Sequence, residues 1–228
     1  MKINDNLDVR AVADSESIDW VSSPLPGVDR KMLERDGDEV ARVTSIVRYA
    51  PGSSFSPHTH TGGEEFIVLE GVFSDEMGDF EAGTYVRNPV GSKHKPASEP
   101  GCQIFVKLWQ MPPDDQEYVR VNFNKDEGWH DNQQTGESIL PLHQTEYEDV
   151  RIMRWPAGYA VTQALEFIGG AEYFVLAGSF SDEEGDYGKG TWLRLPIGAK
   201  HTPRTDEGCT IYIKTGHLVH DLPKPPKG

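Results

Sequence analysis

The stretch GVFSDEMGDFEAGTYVRNPVGSKHKP runs from Gly71 to Pro96, and GSFSDEEGDYGKGTWLRLPIGAKHTP runs from Gly178 to Pro203. The two are one pattern written twice, 107 residues apart. Phe73 becomes Phe180, Asp75 becomes Asp182, Gly83 becomes Gly190 and Arg87 becomes Arg194. Pro89, Gly91, Lys93 and His94 become Pro196, Gly198, Lys200 and His201. The match continues through Gly101-Cys102 and Gly208-Cys209 to Lys107 and Lys214. Upstream, Arg48 and Gly52 match Arg154 and Gly158 at an offset of 106, so the second copy carries one extra residue between Gly158 and Gly169. A repeat of this length implies two similar domains in tandem.

Each copy reads as all-β. The apolar segments VTSIVRY, EFIVLEGVF and CQIFVKLW are short and rich in β-branched and aromatic residues, with turn residues between them. No long stretch carries apolar residues at helical spacing. The expected organisation is an N-terminal arm over residues 1–30, a first barrel over 31–120, a second barrel over 121–222 and a tail over 223–228. The arm holds a turn at Pro24–Gly27, and Trp20 is its candidate anchor. The polar run from Met111 to Tyr147 reads as linker followed by the first strand of the second barrel.

The 228 residues carry a formal charge of −15, which disfavours binding to phosphate backbones. No apolar run of membrane-spanning length occurs, and the first twenty residues lack the apolar core of a signal peptide. A cytoplasmic protein that binds neither nucleic acid nor membrane is expected. The two cysteines, Cys102 and Cys209, are too few for a disulfide framework or a thiolate zinc site. Their equivalent positions suggest a shared packing role.

Candidate chemistry lies just ahead of the opening stretch, in PHTHTGGEEFIVLEG (Pro57–Gly71). On a strand, residues i and i+2 share a face, so His58 and His60 project together. Gly62-Gly63 supplies a turn, Glu64 starts the next strand, and His94 follows the NPVGSKH turn. Three imidazoles and one carboxylate suit a borderline divalent metal. His130, His143, His217 and His220 show no ligand pattern, and the segment from His217 to His220 reads as exposed.

Glu64 and Glu65 are adjacent, so on a strand only one can face the histidines. The second copy acts as a control. At offset 107 Glu64 becomes Ala171, while Glu65 persists as Glu172. The histidine pair becomes Ala164 and Glu166 at offset 106, or Leu165 and Phe167 at 107. Ligands that act together should vanish together, which favours Glu64 as ligand and Glu65 as a structural acid. The second barrel, keeping only His201, is expected to be apolar and packed. Weak metal binding by His201 with Glu166 and Glu172, and a small-ligand cavity near Trp155, Phe167 and Phe174, are alternatives.

The run from Leu25 to Met111 resembles the cupin domain of ChrR-type anti-sigma factors, and the second copy resembles the same domain in degenerate form. Gly52, His58, His60, Glu64 and Gly71 have the spacing of the first cupin motif; Gly83, Pro89, Gly91 and His94 have that of the second. Ser98 departs from the asparagine common at the end of the latter. The resemblance implies two tandem jelly-roll (double-stranded β-helix) barrels with one divalent metal per chain on His58, His60, Glu64 and His94. Zinc is the metal it implies, with iron, manganese or nickel as alternatives. It also implies a sensory or regulatory role, with a sigma factor or another regulatory protein as partner; a homodimer is the expected assembly. The sigma-binding part of such proteins is a separate helical domain with a His-x3-Cys-x2-Cys site, a pattern this sequence does not show. Similar cupins include small iron-dependent dioxygenases that cleave acetylacetone or hydroxylated aryl ketones. An enzyme of that kind, or a binder of a small-molecule ligand, is therefore the alternative reading.

Overall fold

The structure is a computed structural model and describes residues 1–219 and 224–225. Among the described residues there is no α-helix; short 3-10 turns occur at Ser15–Ser17 and His217–Val219. The chain divides into two compact β units. The first takes residues 1–5 and 18–125, and the second takes 6–17 and 126–219.

In the first unit the antiparallel order is Lys2–Ile3, Val28–Gly37, Ala41–Tyr49, Cys102–Leu108, Glu64–Asp75, Thr84–Asn88 and Val119–Asn122. The long Glu64–Asp75 strand serves two layers. Its first half pairs with Thr84–Asn88 and Cys102–Leu108, and its second half with Gly78–Glu81 and Ala97. His58–Thr59 and Lys93–His94 form a short two-stranded ladder of their own. The strand crosses from one layer to the other at Gly71, where φ is +73° and an added Cβ would lie 2.0 Å from the Gly101 carbonyl oxygen. Only glycine fits that crossing. Gly178 repeats it in the second unit, against Gly208.

The second unit repeats the order: His130–Asp131, Ser138–Gln144, Asp149–Trp155, Cys209–Thr215, Ala171–Ser181, Thr191–Leu195 and Ala11–Asp14. Its last strand comes from the N-terminal segment. The expected arm therefore supplies Lys2–Ile3 to the first unit and Ala11–Asp14 to the second. Likewise Val119–Asn122, expected to lead into the second barrel, is an edge strand of the first. Trp20 lies beneath the cations of Lys31 and Arg48, 4.8 and 4.3 Å from its ring centroid.

Alternation decides what faces inward. Phe66, Val68, Val86, Ile104, Val106 and Phe73 form the core of the first barrel. Tyr173, Val175, Leu193, Leu195, Ile211 and Phe180 form that of the second. Cys102 and Cys209 are free, buried and inward-facing, and burial pushes their thiols up to about 11 and about 12. The opposite faces hold buried charge. Glu65 lies in register between Arg87 and Lys107, and Glu172 between Arg194 and Lys214. Glu65 accepts a hydrogen bond from the Tyr85 hydroxyl at 2.7 Å, and Glu172 from Trp192 Nε1 at 3.1 Å.

Candidate metal centre

Position on the strands explains which side chains meet. Glu64 shares the inward face with Phe66 and Val68, which turns Glu65 outward. His58 pairs with His94 across the short ladder, and His60 follows at the start of the Gly62-Gly63 turn. The rings of His58, His60 and His94 form a tripod. Their centroids are 4.8, 5.0 and 4.7 Å apart, and each pair of planes meets at 73–79°. One ring nitrogen from each lies within 4.8 Å of the other two. Glu64 Oε2 lies 3.4 Å from His60 Nε2 and 3.7 Å from His94 Nε2. Two ligands about 2.1 Å from a shared cation at tetrahedral angles stand about 3.4 Å apart, so the donor spacing fits a metal.

The ring orientations are held from behind. His94 Nδ1 donates to Asp75 Oδ2 at 3.1 Å, and Asp75 Oδ1 accepts from the Met77 N–H at 2.7 Å. His58 Nδ1 faces the Ser56 carbonyl oxygen at 3.3 Å. These contacts direct the Nε2 atoms of both rings toward the centre, as in metal-ligating histidines generally. The Nε2 atoms of His60 and His94 are buried and have no hydrogen-bond partner, a costly state for a polar atom in an apolar barrel. Burial holds His60 below the usual imidazole range, aided by His94 and His58 and opposed by Glu64. Burial also opposes charge on His94, but the Asp75 hydrogen bond and the Glu64 carboxylate outweigh it and raise its pKa. His58 is exposed, so the donor set opens to solvent on that side.

Trp109 covers the turn that follows His60. Its φ is +60°, rare for a bulky residue, and its ring lies so close over Gly62 that an added Cβ would be 2.2 Å from it. The second copy has Gly216 at this position. Two lysines near the motifs face elsewhere: Lys107 Nζ donates to Thr44 Oγ1 on the outer side of the sheet, and Lys93 is exposed.

The second barrel settles the alignment of the copies. Leu165 pairs with His201 as His58 pairs with His94, so the offset there is 107 and the extra residue precedes Leu165. His58, His60 and Glu64 thus correspond to Leu165, Phe167 and Ala171. Glu166 is exposed and pairs with Lys200, while Glu172 faces outward, so neither converges on His201. His201 keeps its acid: Nδ1 donates to Asp182 Oδ2 at 3.1 Å. Its Nε2 accepts from the Tyr173 hydroxyl at 2.9 Å. Tyr173 stands where the first barrel has Phe66, and its hydroxyl supplies the partner that His94 Nε2 lacks. Arg10 donates to Asp182 at 2.6 Å and also contacts the Tyr187 hydroxyl. Burial holds His201 below the usual range despite Asp182. Trp155 and Phe167 pack into this core, while Phe174 points to the other face of its strand, so the three do not line one cavity. His217 is buried rather than exposed and meets Glu172 at 3.0 Å; His220 lies outside the described residues.

A sequence profile described as the ChrR cupin-like domain matches residues 8–112 and again 117–219. The chain belongs to the ChrR cupin-like domain family. A search of curated proteins finds no match. Solved structures agree on the fold. A Nostoc punctiforme protein described as a "putative dioxygenase" superposes with a TM-score of 0.76 at 13% identity, covering 97% of this chain and 87% of that one. Bacillus subtilis oxalate decarboxylase gives 0.62 at 11%, covering 90% and 76%. A 7S globulin from Momordica charantia gives 0.61 at 12%, covering 90% and 84%. Proteins described so differently on one fold leave function to the site. The chain is a duplicated cupin, nearly all-β, whose His58, His60 and His94 could hold a metal ion. No helix among the described residues is long and apolar enough to cross a membrane.

Proposed function

We propose that His58, His60, Glu64 and His94 bind one divalent cation and that the chain is a metal-responsive regulatory bicupin of the ChrR kind. One observation carries the site: two buried imidazole nitrogens without hydrogen-bond partners face the same carboxylate oxygen. The mixed nitrogen and oxygen donors suit zinc, iron, manganese or nickel. A bound cation supplies Lewis acidity and, if redox-active, a route for electrons. The chain's own residues prepare the site. Asp75 keeps the proton of His94 on Nδ1, the Ser56 carbonyl orients His58, and the wall of Phe66, Phe73 and Val86 keeps water from the inner side. In this reading metal occupancy biases the first barrel between two states, and a sigma factor or another regulatory protein reads the difference.

A second reading, a cupin dioxygenase acting on a small diketone or aryl ketone, is favoured by the exposure of His58, which leaves the donors within reach of a small chelating molecule. Elemental analysis of protein purified without chelators tests both. The expected result is one divalent ion per chain, lost in His60→Ala and in His94→Ala. Stoichiometric zinc supports the regulatory reading, and iron with oxygen uptake on adding a diketone supports the second. Full metal content in both variants overturns the site.

A further inference from the structure

Glu64 does not stand alone. Asn88 lies directly across the sheet from it, on the same inward face, and is buried. Asn88 Nδ2 donates to Glu64 Oε2 at 2.9 Å, the same oxygen that faces His60 and His94. A carboxylate oxygen has two lone pairs, so one can accept from the amide while the other faces the imidazoles. Behind Asn88, its Oδ1 accepts from Arg120 Nη2. Arg120 belongs to the edge strand Val119–Asn122, paired with Val86. Its Nη1 donates to the carbonyl oxygens of Arg87 and Val119, both at 2.7 Å, which pins the guanidinium. Arginine has no acceptor, so Asn88 must turn its oxygen to Arg120 and its N–H to Glu64. The amide cannot flip without facing one donor with another.

The second barrel shows which polar groups belong to the fold and which to the site. The register pair Asn88–Glu64 becomes Leu195–Ala171. The position of Arg120 opposite Val86 becomes that of Val12 opposite Leu193. All three polar members are gone in the copy that lost His58 and His60. The Asp–His pair, by contrast, persists in both barrels. Leu195 and Ala171 are buried in a packed core and Val12 is half-exposed on its edge strand, so the fold does not require this polar chain.

We propose that Asn88 and Arg120 are positioning residues for Glu64: Asn88 holds the carboxylate toward the histidines, and Arg120 locks the Asn88 amide. The proposal rests on the reading of this site as a cation site. It is tested on the full chain, stripped of metal, by measuring Zn(II) affinity in competition with a chromogenic chelator, and Co(II) absorption as a signature of the ligand set. Asn88→Leu, which copies the second barrel, should weaken Zn(II) binding by about 10- to 100-fold, the usual range for loss of a residue that orients a metal ligand. Asn88→Ala gives the same test without added bulk, and melting curves of the metal-free proteins confirm folding. Arg120→Val should weaken binding less, and the double variant should bind no worse than Asn88→Leu alone, because Arg120 acts through Asn88. In a Glu64→Ala background, Asn88→Leu should change nothing further. Binding within twofold of the parent in both Asn88 variants overturns the positioning role while leaving the site intact. An equal loss with and without Glu64 also overturns it, because the effect would then be structural. Failure of the parent chain to bind Zn(II), or undiminished binding by His60→Ala, overturns the site itself and the proposal with it.

Discussion

Phe66→Tyr carries the solution of the second barrel into the first. Phe66 and Tyr173 have the same pairing partners 107 residues apart: Val86 and Val106 in one barrel, Leu193 and Ile213 in the other. The Tyr173 hydroxyl sits 2.9 Å from His201 Nε2. A hydroxyl on residue 66 would reach His94 Nε2 in the same way and stand where a cation ligated by that nitrogen belongs. To admit the cation, the protein must give up the new hydrogen bond, about 0.5–1.5 kcal/mol. It must also push the ring off its site against Phe73, whose centroid is 4.6 Å away, at about 1–3 kcal/mol for an overpacked core. Together these amount to about 1.5–4.5 kcal/mol, or roughly tenfold to a thousandfold in affinity at 1.4 kcal/mol per tenfold. The assay is Zn(II) competition on metal-free protein, with a melting curve beside it. The metal-free variant should melt no lower than the parent, because the hydroxyl satisfies a buried nitrogen that lacks a partner. A variant that binds Zn(II) as tightly as the parent would refute the equivalence of the two positions and the placement of the cation against His94.

Tyr173→Phe strands His201 Nε2 in an apolar core and should destabilise the second barrel by about 1–3 kcal/mol, measured by urea denaturation, with metal content unchanged. Trp109→Gly copies Gly216 and relieves about 1–2 kcal/mol of left-handed backbone strain; it should nevertheless weaken Zn(II) binding, because Gly62 loses its cover. Burial works against ionised Asp182, but the hydrogen bonds from Arg10, the Glu184 N–H, His201 and Tyr187 together outweigh it and hold it down at about 2. The folded pKa is below the ordinary 3.8, so the stabilisation is present above about 4 and lost as pH falls through about 2. Acid titrations followed by circular dichroism should show this loss in the parent and a flatter response in Asp182→Asn.

The repeat and the spacing of His58, His60, Glu64 and His94 were legible because they lie along contiguous strands and tight turns, where order in the chain becomes order in space. The choice between Glu64 and Glu65 was legible for the same reason, since alternation assigns neighbours to opposite faces. Asn88 left a signal that went unread: it faces Leu195 in the aligned copies, a polar-to-apolar change next to an otherwise matched Pro-x-Gly turn. Arg120 left none, because its strand has no counterpart in the repeat at that place in the chain and reaches the site only through tertiary pairing. The same holds for Ala11–Asp14, whose four residues show no alternation strong enough to mark an edge strand. His217 has polar, proline-rich surroundings that suggest exposure, but the buried carboxylate of Glu172 draws it in.

The origin of that edge strand constrains how the molecule comes into being. Residues 11–14 are synthesised long before the strand they pair with, Thr191–Leu195. Until that strand is made, residues 11–14 must wait without their partner while the first lobe forms. A fragment cut between the lobes would leave Thr191–Leu195 with a bare row of amides and carbonyls, open to pairing with another chain. Attempts to express the C-terminal lobe by itself should therefore yield self-association, relieved by adding residues 6–17 as a peptide in trans.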